Sequence, residues 1–365
     1  MDVYYAMRIL HLSRYYWPRS GGRERVVEDL AEGAAELGHE VEVVAVQSDL
    51  RGDRRARDRS RVTQVFSFGT LGSQDFAPGY LAAAWHRADI IHVHHPHTLA
   101  DVAVMLRARR TPLVVTQHAD QKRAPQRLAS RITLKRAKGI VVPSRAHIAL
   151  CGELEGLESK VEVIPFGIDE SRWADVPPEP AEGPIRALFI GRLVRYKGVD
   201  ILLRALERVP ELRLDIVGTG PEAPRLRTLA QALAVTDRVR WYGAYPDEDI
   251  PRRMAEAHFL VLPSVTVEEM FGLVAVEAMA AGRPVITTDL PSGLREINSH
   301  GETGLVVPLR DPDALARAMI ELAGDRAMRA RMGAAGRRRV LERYTRRQMA
   351  EAHIALYERI LAGRR

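Results

Sequence analysis

The sequence of 365 residues contains a single cysteine, Cys151, and no long apolar run. One thiol excludes an internal disulfide framework and is typical of a reducing compartment, so Cys151 is interpreted as a structural thiol. Spanning a bilayer takes roughly 18–20 apolar residues, whereas the longest candidates, Val41–Val46 and Phe259–Leu262, have the length of strands. Met1–Met7 shows neither the basic nor the apolar region of a signal peptide. These absences favour a cytoplasmic location.

What the chain does have is length and positive charge. A chain of 365 residues exceeds the usual size of one hydrophobic core, so two domains are expected. Its composition, with 46% apolar and 28% charged residues, is that of a globular protein. The net charge of +7 suits an anionic partner, which could be a phosphate, a nucleic acid or a membrane surface.

The first half reads as alternating strands and helices. The strand Met7–Leu12 runs into a loop with Gly21 and Gly22, and the helix Glu24–Leu37 and the strand Val41–Val46 follow. This order is a βαβ unit. Because short apolar strands keep alternating with helices, the pattern predicts a parallel sheet covered on both faces. The later predicted strands are 90–93, 113–116, 139–142 and 161–165, with helices near 99–108 and 125–137.

The stretch Val176–Pro184 interrupts this alternation. It holds four prolines in nine residues, which excludes a helix or strand interior and predicts an interdomain linker. The alternation then restarts, so the predicted domains are 1–175 and 184–348. Ligands of doubly wound sheets bind outside the carboxyl ends of the strands. The predicted strands of the second half are 185–190, 212–217, 239–242, 259–262, 285–287 and 304–307, followed by a helical tail over 313–361.

The stretch Leu262–Val285 carries two carboxylates around a predicted helix start near Gly272. Glu269 lies just before that start and Glu277 lies more than a turn inside the helix. The free N–H groups and the dipole of a helix N-terminus favour an anion. Two carboxylates can share such a site with a phosphate only if they bind hydroxyl groups, and a nucleotide sugar offers both. The alternative is that both glutamates lie on a solvated helix face.

The stretch Phe189–Gly198 carries two cations across a strand-to-helix turn. Arg192 and Lys197 are five residues apart, a spacing that suits a diphosphate, because arginine can bind it bidentately and lysine acts as a point charge. The alternative is a pair of ordinary surface cations.

Together these motifs closely resemble the family 4 retaining glycosyltransferases of GT-B fold, over Met7 to about Leu361. The matching segments are Gly21-Gly22, Gly191-Arg192-Leu193 with Lys197-Gly198, Glu269-x-Phe271-Gly272, Glu277-Ala278-Met279-Ala280-x-Gly282-x-Pro284-Val285 and Gly301-x-x-Gly304-Leu305-Val306. The resemblance implies an α/β architecture of two Rossmann-like, doubly wound parallel-sheet domains facing a cleft. In that fold the first domain lies on the acceptor side, the second binds the donor, and the last helix, about 349–365, crosses back to the first.

The resemblance also implies roles for individual residues. Arg192 and Lys197 would bind the diphosphate, Glu269 would lie at the donor sugar, and Glu277 would bind the ribose hydroxyls. His118 would contact the donor sugar, and no metal or other cofactor is implied. Further donor contacts would come from Gly21, Gly22, Gly218, Gly243, Phe271, Gly272 and Leu273.

Two other motifs compete with this interpretation. The segment Gly218–Ala223 matches G-x-G-x-x-A, but Asp237 precedes the next strand instead of ending it, which argues against a dehydrogenase. His92, His94, His95 and His97 look like a metal cluster, but no carboxylate or cysteine completes a ligand set at a suitable spacing, so they are interpreted as polar residues at a strand end.

Two segments of the first half are rich in cations. Six arginines fall within Arg51–Arg61, and seven cations without an acid fall within Lys122–Lys138. Arg127, Arg131 and Lys135 recur every fourth residue, and such a helix face suits an anionic membrane. The alternative is a solvated face, and the lack of interleaved aromatics argues against nucleic acid.

The expected function is transfer of a hexosyl group from a nucleotide sugar to a glycan or lipid-linked acceptor, in cell-surface polysaccharide synthesis. The resemblance favours GDP-mannose as donor, with a UDP-sugar second, and a protein that is cytoplasmic or peripheral at the inner membrane face. The alternatives are a nucleotide-sugar epimerase and a membrane-surface adaptor without activity.

Overall fold

The computed structural model of the chain describes residues 6–16, 21–47, 59–71, 74–107, 110–120 and 124–363. Most of the arginine-rich segment Arg51–Arg61, and the first two cations of Lys122–Lys138, lie outside these ranges. Within them, no helix combines the length and the apolar character that crossing a membrane requires.

The chain divides into two compact units. Unit 1 contains Met1–Gly167 and Arg346–Arg365, and unit 2 contains Ile168–Thr345. The chain therefore passes into unit 2 ahead of the proline-rich stretch 176–184 and returns to unit 1 for its last helix.

Each unit is built on one parallel sheet. The strands of unit 1 are β1 Arg8–Leu12, β2 Glu40–Gln47, β3 Arg61–Phe66, β4 Thr70–Leu71, β5 Gln74–Asp75, β6 Ile90–His95, β7 Leu113–Gln117, β8 Gly139–Val142 and β9 Val161–Val163. Those of unit 2 are β10 Arg186–Ile190, β11 Arg213–Val217, β12 Val239–Gly243, β13 Phe259–Leu262, β14 Val285–Thr288 and β15 Gly304–Val307. Their spatial orders are β3-β2-β1-β6-β7-β8-β9 and β12-β11-β10-β13-β14-β15, while β4 and β5 form a separate hairpin.

Helices connect the strands in both units. They are α1 Gly22–Glu36, α2 Gly79–Ala83, α3 Thr98–Leu106, α4 Ala124–Arg136, α5 Arg145–Leu150, α6 Val199–Glu207, α7 Ala223–Ala232, α8 Ile250–Glu256, α9 Leu273–Ala280, α10 Leu294–Ile297, α11 Pro312–Gly324, α12 Arg326–Arg343 and α13 Arg346–Ala362. The strands pair in parallel because helical crossovers return the chain to the same sheet edge. The predicted architecture of two Rossmann-like parallel sheets is confirmed.

The helix α13 packs in unit 1 against α1. Arg346 at its start pairs with Asp29 at 3.2 Å and with Glu36 at 3.1 Å. Further along, Tyr357 is fully buried. The last helix is therefore part of the covering of the first sheet.

The proline-rich stretch is fastened within unit 2. Glu179 accepts two hydrogen bonds from the buried Arg329 guanidinium, at 2.7 and 2.8 Å. Arg283, also buried, donates to the Pro177 carbonyl at 2.8 Å and to carbonyls at the end of α8. Arginine can make several such bonds because it carries five N–H donors in a fixed fork.

Candidate functional site

The loop between β13 and α9 carries Glu269 and ends at a backbone position that suits glycine. Gly272 has φ of 85°, and a Cβ there would lie 2.3 Å from Cδ2 of Leu294. Glycine is free of both penalties, so the loop can turn sharply into the helix. The helix begins at Leu273, and the first N–H groups of a helix have no acceptor within it. This edge of the sheet therefore offers donors to an anion.

Lys197 and Glu269 form a buried ion pair at this loop. Nζ of Lys197 donates to Oε2 of Glu269 at 2.6 Å, and Oγ of Ser264 donates to the same oxygen at 2.7 Å. Burial by itself would lower the pKa of Lys197, but the Glu269 carboxylate, together with Tyr196, outweighs burial and raises that pKa. The lysine is therefore a fixed positive charge. Oε1 of Glu269 makes no hydrogen bond within the described residues, which leaves it able to accept from a hydroxyl group.

Neighbouring loops at this sheet edge are fitted closely to one another. A Cβ on Gly198 would lie 2.1 Å from the Pro263 carbonyl oxygen, and one on Gly218 would lie 1.9 Å from that of Gly191. Backbone hydrogen bonds also connect these loops, for example from the N–H of Val265 to the carbonyl of Tyr196 at 2.7 Å. Loop packing thus requires Gly198 and Gly218 to be glycine. The sequence prediction had explained Gly218 by approach of the donor instead.

The other predicted donor residues of unit 2 occupy varied environments. Arg192 is exposed, on the same β10–α6 loop as Lys197. Glu277 is buried in the second turn of α9. The Phe271 side chain is buried, with its ring edge-on to that of Tyr344. The Gly243 carbonyl accepts from Gly218 N at 2.8 Å.

In unit 1 the predicted residues lie at the start of α1 and at the end of β7. Gly21 is the residue before α1, and a Cβ there would crowd Glu24, whereas a Cβ on Gly22 would meet open space. His118 directly follows β7 and stacks on Phe166 with ring centroids 5.0 Å apart. Burial, with Arg23 as the next cause, holds the pKa of His118 well below its ordinary value, so its ring is neutral.

A cluster of histidines lies beside His118 that the sequence interpretation recognised only in part. His92 and His94 share one face of β6, and His11 of β1 lies opposite His92 in the parallel register. The three are buried, and one nitrogen of each lies within 4.8 Å of the others. Alternation of side chains along β1 can assign His11 to one face of the strand, but only the pairing of β1 with β6 places it beside His92.

Five of the six ring nitrogens of this cluster are engaged by hydrogen bonds, and Nε2 of His11 has no partner among the described residues. His92 lies 2.5 Å from the Tyr357 hydroxyl and 2.7 Å from Oγ1 of Thr116. Its ring is offset and nearly parallel to that of His94, with an interplanar angle of 20°. Imidazole lone pairs lie in the ring plane, so stacked rings do not direct them at a common point. The geometry therefore favours hydrogen bonding over metal ligation.

The remaining two histidines of the predicted metal group have separate partners. His95 contacts Asp101 at 2.7 Å with both side chains buried, and His97 lies 3.3 Å from the Tyr80 hydroxyl. Burial opposes the charged form of His95, but Asp101 outweighs burial and raises the pKa of His95. Asp101 is the carboxylate that the sequence analysis did not find, and it serves one histidine only.

The helix α4 presents the predicted basic face to solvent. Arg127 and Lys135 are exposed and Arg131 is half-buried, donating to the Glu155 carbonyl at 3.1 Å. Beside them Leu128 is 65% exposed and Ile132 is 39% exposed. Cations and large apolar side chains therefore share one exposed surface.

Comparison with known families and proteins matches both halves of the chain. The family described as "Glycosyltransferase Family 4" matches residues 20–172, and "Glycosyl transferases group 1" matches residues 171–339. O-antigen chain mannosyltransferase C of Escherichia coli is 30% identical, over 98% of this chain and all of that one. The phosphatidyl-myo-inositol mannosyltransferase of Mycolicibacterium smegmatis is 31% identical, over 89% of this chain and 86% of that one.

Solved structures agree on the fold. Anabaena HepE, solved in complex with UDP and glucose, superposes with a TM-score of 0.78 at 22% identity, over 96% of this chain and 99% of that one. The two parallel sheets are thus those of the GT-B fold.

Proposed function

This chain belongs to glycosyltransferase family 4, and we propose that it moves a hexosyl group from a nucleotide sugar to a glycan or lipid-linked acceptor with retention of configuration. The observation that carries the proposal is the buried contact of Lys197 with Glu269 beside the start of α9. It joins a fixed cation, a carboxylate and free backbone donors at the carboxyl edge of a parallel sheet, where ligands of such sheets bind.

Each part of this arrangement fits one part of a nucleotide sugar. Breaking a glycosyl–diphosphate bond builds negative charge on the leaving diphosphate, which Lys197, the exposed Arg192 and the N-terminus of α9 can stabilise. The free Oε1 of Glu269 can accept from a sugar hydroxyl, and Glu277 can bind the ribose. Glu269 already holds the Lys197 ammonium, so its role is to orient and not to attack the sugar.

We favour GDP-mannose as the donor, with a UDP-sugar as second choice. Mannosyl transfer is the activity named for both similar proteins of Escherichia coli and Mycolicibacterium. UDP is the nucleotide in the structurally similar HepE. For the remaining predicted contacts, we propose that His118, Gly21 and Gly22 of unit 1 contact the substrate, and that Gly218, Gly243, Phe271, Gly272 and Leu273 contact the donor in unit 2.

A lipid-linked acceptor would bring the enzyme to the cytoplasmic membrane face. We propose that the face of α4 formed by Arg127, Leu128, Arg131, Ile132 and Lys135 makes that contact. Cations attract an anionic surface, and exposed apolar side chains can enter the headgroup region.

A donor panel followed by product analysis tests the proposal. Nucleotide sugars carrying each base are screened by thermal shift, because a ligand that binds the folded state raises its apparent stability. GDP-mannose is expected to give the largest shift. With a lipid-linked glycan added, the expected product is a glycosylated acceptor and nucleoside diphosphate. Free nucleotide without a glycosylated product would indicate an epimerase, and no donor consumption would indicate an inactive adaptor; both contradict transfer.

A further inference from the structure

Three histidines of unit 1 form a directional chain of hydrogen bonds. Nε2 of His118 lies 3.3 Å from Nδ1 of His94, and Nε2 of His94 lies 3.0 Å from Nδ1 of His11. The ring centroids are 5.6 and 5.3 Å apart, which exceeds the nitrogen distances by about one ring width. The rings therefore meet edge to edge, as hydrogen bonding requires. The chain crosses the neighbouring strands β7, β6 and β1.

All three rings are neutral. Burial, followed by neighbouring histidines and Arg23, holds the pKa values of His94 and His118 well below the ordinary value. Burial, followed by His353, lowers the pKa of His11 to about 3. A neutral imidazole has one N–H donor and one acceptor nitrogen. Each ring therefore donates on one side only, and all the hydrogen bonds of the chain must run in one direction.

The inner end of the chain sets that direction. Nε2 of His11 is buried and has no hydrogen-bond partner among the described residues. In folded proteins, a buried N–H without an acceptor is rarer than a buried acceptor without a donor. Nε2 of His11 is therefore the bare nitrogen and its proton lies on Nδ1. His11 then donates to His94, and His94 donates from Nδ1 to Nε2 of His118.

We infer that His94, supported by His11, is a positioning residue that holds His118 as the Nδ1–H tautomer, with that N–H available to a substrate oxygen. His118 is partly exposed, and its Nδ1 makes no hydrogen bond within the described part of the chain. Stacking on Phe166 fixes the plane of the ring. The last step, donation to a substrate oxygen, rests on the proposed glycosyl transfer, and it makes His118 a hydrogen-bond donor and not a base.

Other histidines near His118 do not fix its tautomer, so this role belongs to His94 and His11. His353 has Nδ1 2.8 Å from the Met349 carbonyl, which can only accept, so this ring is fixed by its own helix. His92 bonds to Thr116 and Tyr357. Neither ring is hydrogen-bonded to His118.

Nuclear magnetic resonance of protein labelled with ¹⁵N-histidine tests the tautomer directly. The full-length wild type is expected to show His118 with a proton on Nδ1 and a bare Nε2, assigned by loss of the signal in His118→Gln. A proton on Nε2 of His118 would overturn the inference, and this measurement needs neither an altered chain interior nor an active enzyme.

A matched pair of variants tests the positioning role. Asparagine and leucine have similar size, but the amide of His94→Asn offers an N–H near the position of Nδ1, whereas His94→Leu offers none. The asparagine variant is expected to keep the Nδ1–H tautomer, and the leucine variant to give a mixture. The same tautomer in both variants would overturn the role of His94.

Activity separates this inference from the proposed function. Loss of one well-placed neutral hydrogen bond in the transition state corresponds to a roughly threefold to tenfold fall in kcat. We expect that fall in His94→Leu and its rescue in His94→Asn, although leucine is the better buried residue for stability. Equal kcat values would contradict the positioning role. A wild type with the expected tautomer that transfers no sugar would refute only the proposed function.

Discussion

At the scale of single residues, the contact between Lys197 and Glu269 ties the proposed chemistry to stability. Removing one member of a buried ion pair leaves an uncompensated charge, which costs about 3–5 kcal/mol. Removing both at once avoids that cost. Stability and activity should therefore respond differently to single and double substitution.

We expect Glu269→Gln and Lys197→Met each to lower the transfer rate by at least about a hundredfold, the usual effect of losing one preorganised electrostatic contact. Each single variant should also lose stability. The double variant should regain most of that stability without regaining transfer, because the charges are removed together but the site is still lost. Urea unfolding and initial rates measure the two effects.

Arg195 provides the matched control for this pair. It lies on the same loop as Lys197, but its side chain is 86% exposed and, among the residues that the structure describes, pairs only with Glu222, at 3.5 Å. Arg195→Met should change rate and stability little, because exposed ion pairs contribute about 0–1 kcal/mol. Normal turnover in either single variant of the buried pair would contradict the site assignment.

Much of this site could be predicted from local sequence, and the rest could not. The strand-to-helix turns that carry Glu269, Arg192 and Lys197 can be recognised in the sequence. Hydrophobic periodicity marks the strands and helices, and glycines mark the turns between them. The bond between Lys197 and Glu269, 72 residues apart, and the contribution of Ser264 depend on which loops become neighbours in the sheet. His11 was missed for the same reason, since its partner His94 is 83 residues away.

At the scale of secondary-structure elements, the same limit explains which strands were found. A central strand such as β13, buried along its whole length, is a continuous apolar run in the sequence. The edge strand β3 is exposed or half-buried throughout and mixes polar with apolar residues, so no period-two or apolar signal marked it.

The boundary between the domains was predicted from the density of prolines in 176–184. The hydrogen bond from Arg329 to Glu179, 150 residues away in the sequence, shows that this stretch packs within unit 2. Such a long-range contact leaves no local signal in the sequence.

The helix α4 carries the prediction that belongs to this scale. Replacing Arg127, Arg131 and Lys135 by glutamine removes three cations near an anionic surface, each worth about 1 kcal/mol. Partition into vesicles with anionic lipid should fall roughly a hundredfold, and the remaining binding should depend less on salt. Co-sedimentation at two salt concentrations measures both.

Exposed cations elsewhere serve as the control for α4. The control replaces three exposed cations of unit 2 by glutamine, namely Arg317, Arg331 and Arg338. This variant changes net charge equally but leaves α4 intact, so it should bind vesicles nearly as well as the wild type. If the two variants lose binding alike, attraction is a property of net charge. If neither loses binding, α4 makes no membrane contact.

At the scale of the whole molecule, the units differ in their content of histidine. All histidines except His258 and His300 belong to unit 1. Several are buried and neutral there: burial lowers the pKa of His11 to about 3, and those of His147 and His353 to about 4. In the unfolded chain these groups take up protons near pH 6.5.

Acid should therefore destabilise unit 1 before unit 2. Where the unfolded state binds more protons than the folded state, the free energy of unfolding decreases as the pH is lowered, by up to about 1.4 kcal/mol per pH unit for each group. The stability from His11, His147 and His353 is complete above pH 6.5 and declines as the pH falls, down to about pH 4 for His147 and His353 and to about pH 3 for His11. His95 acts oppositely, because its raised pKa favours the folded state in acid. This one group is expected to offset only part of the effect of the three histidines whose pKa values are lowered. Hydrogen exchange between pH 7.5 and 4.5 can follow each unit separately, and His353→Phe should reduce the slope in unit 1 by about one proton. A slope that is equal in the two units, or unchanged by His353→Phe, would show that the buried histidines of unit 1 do not control its acid stability.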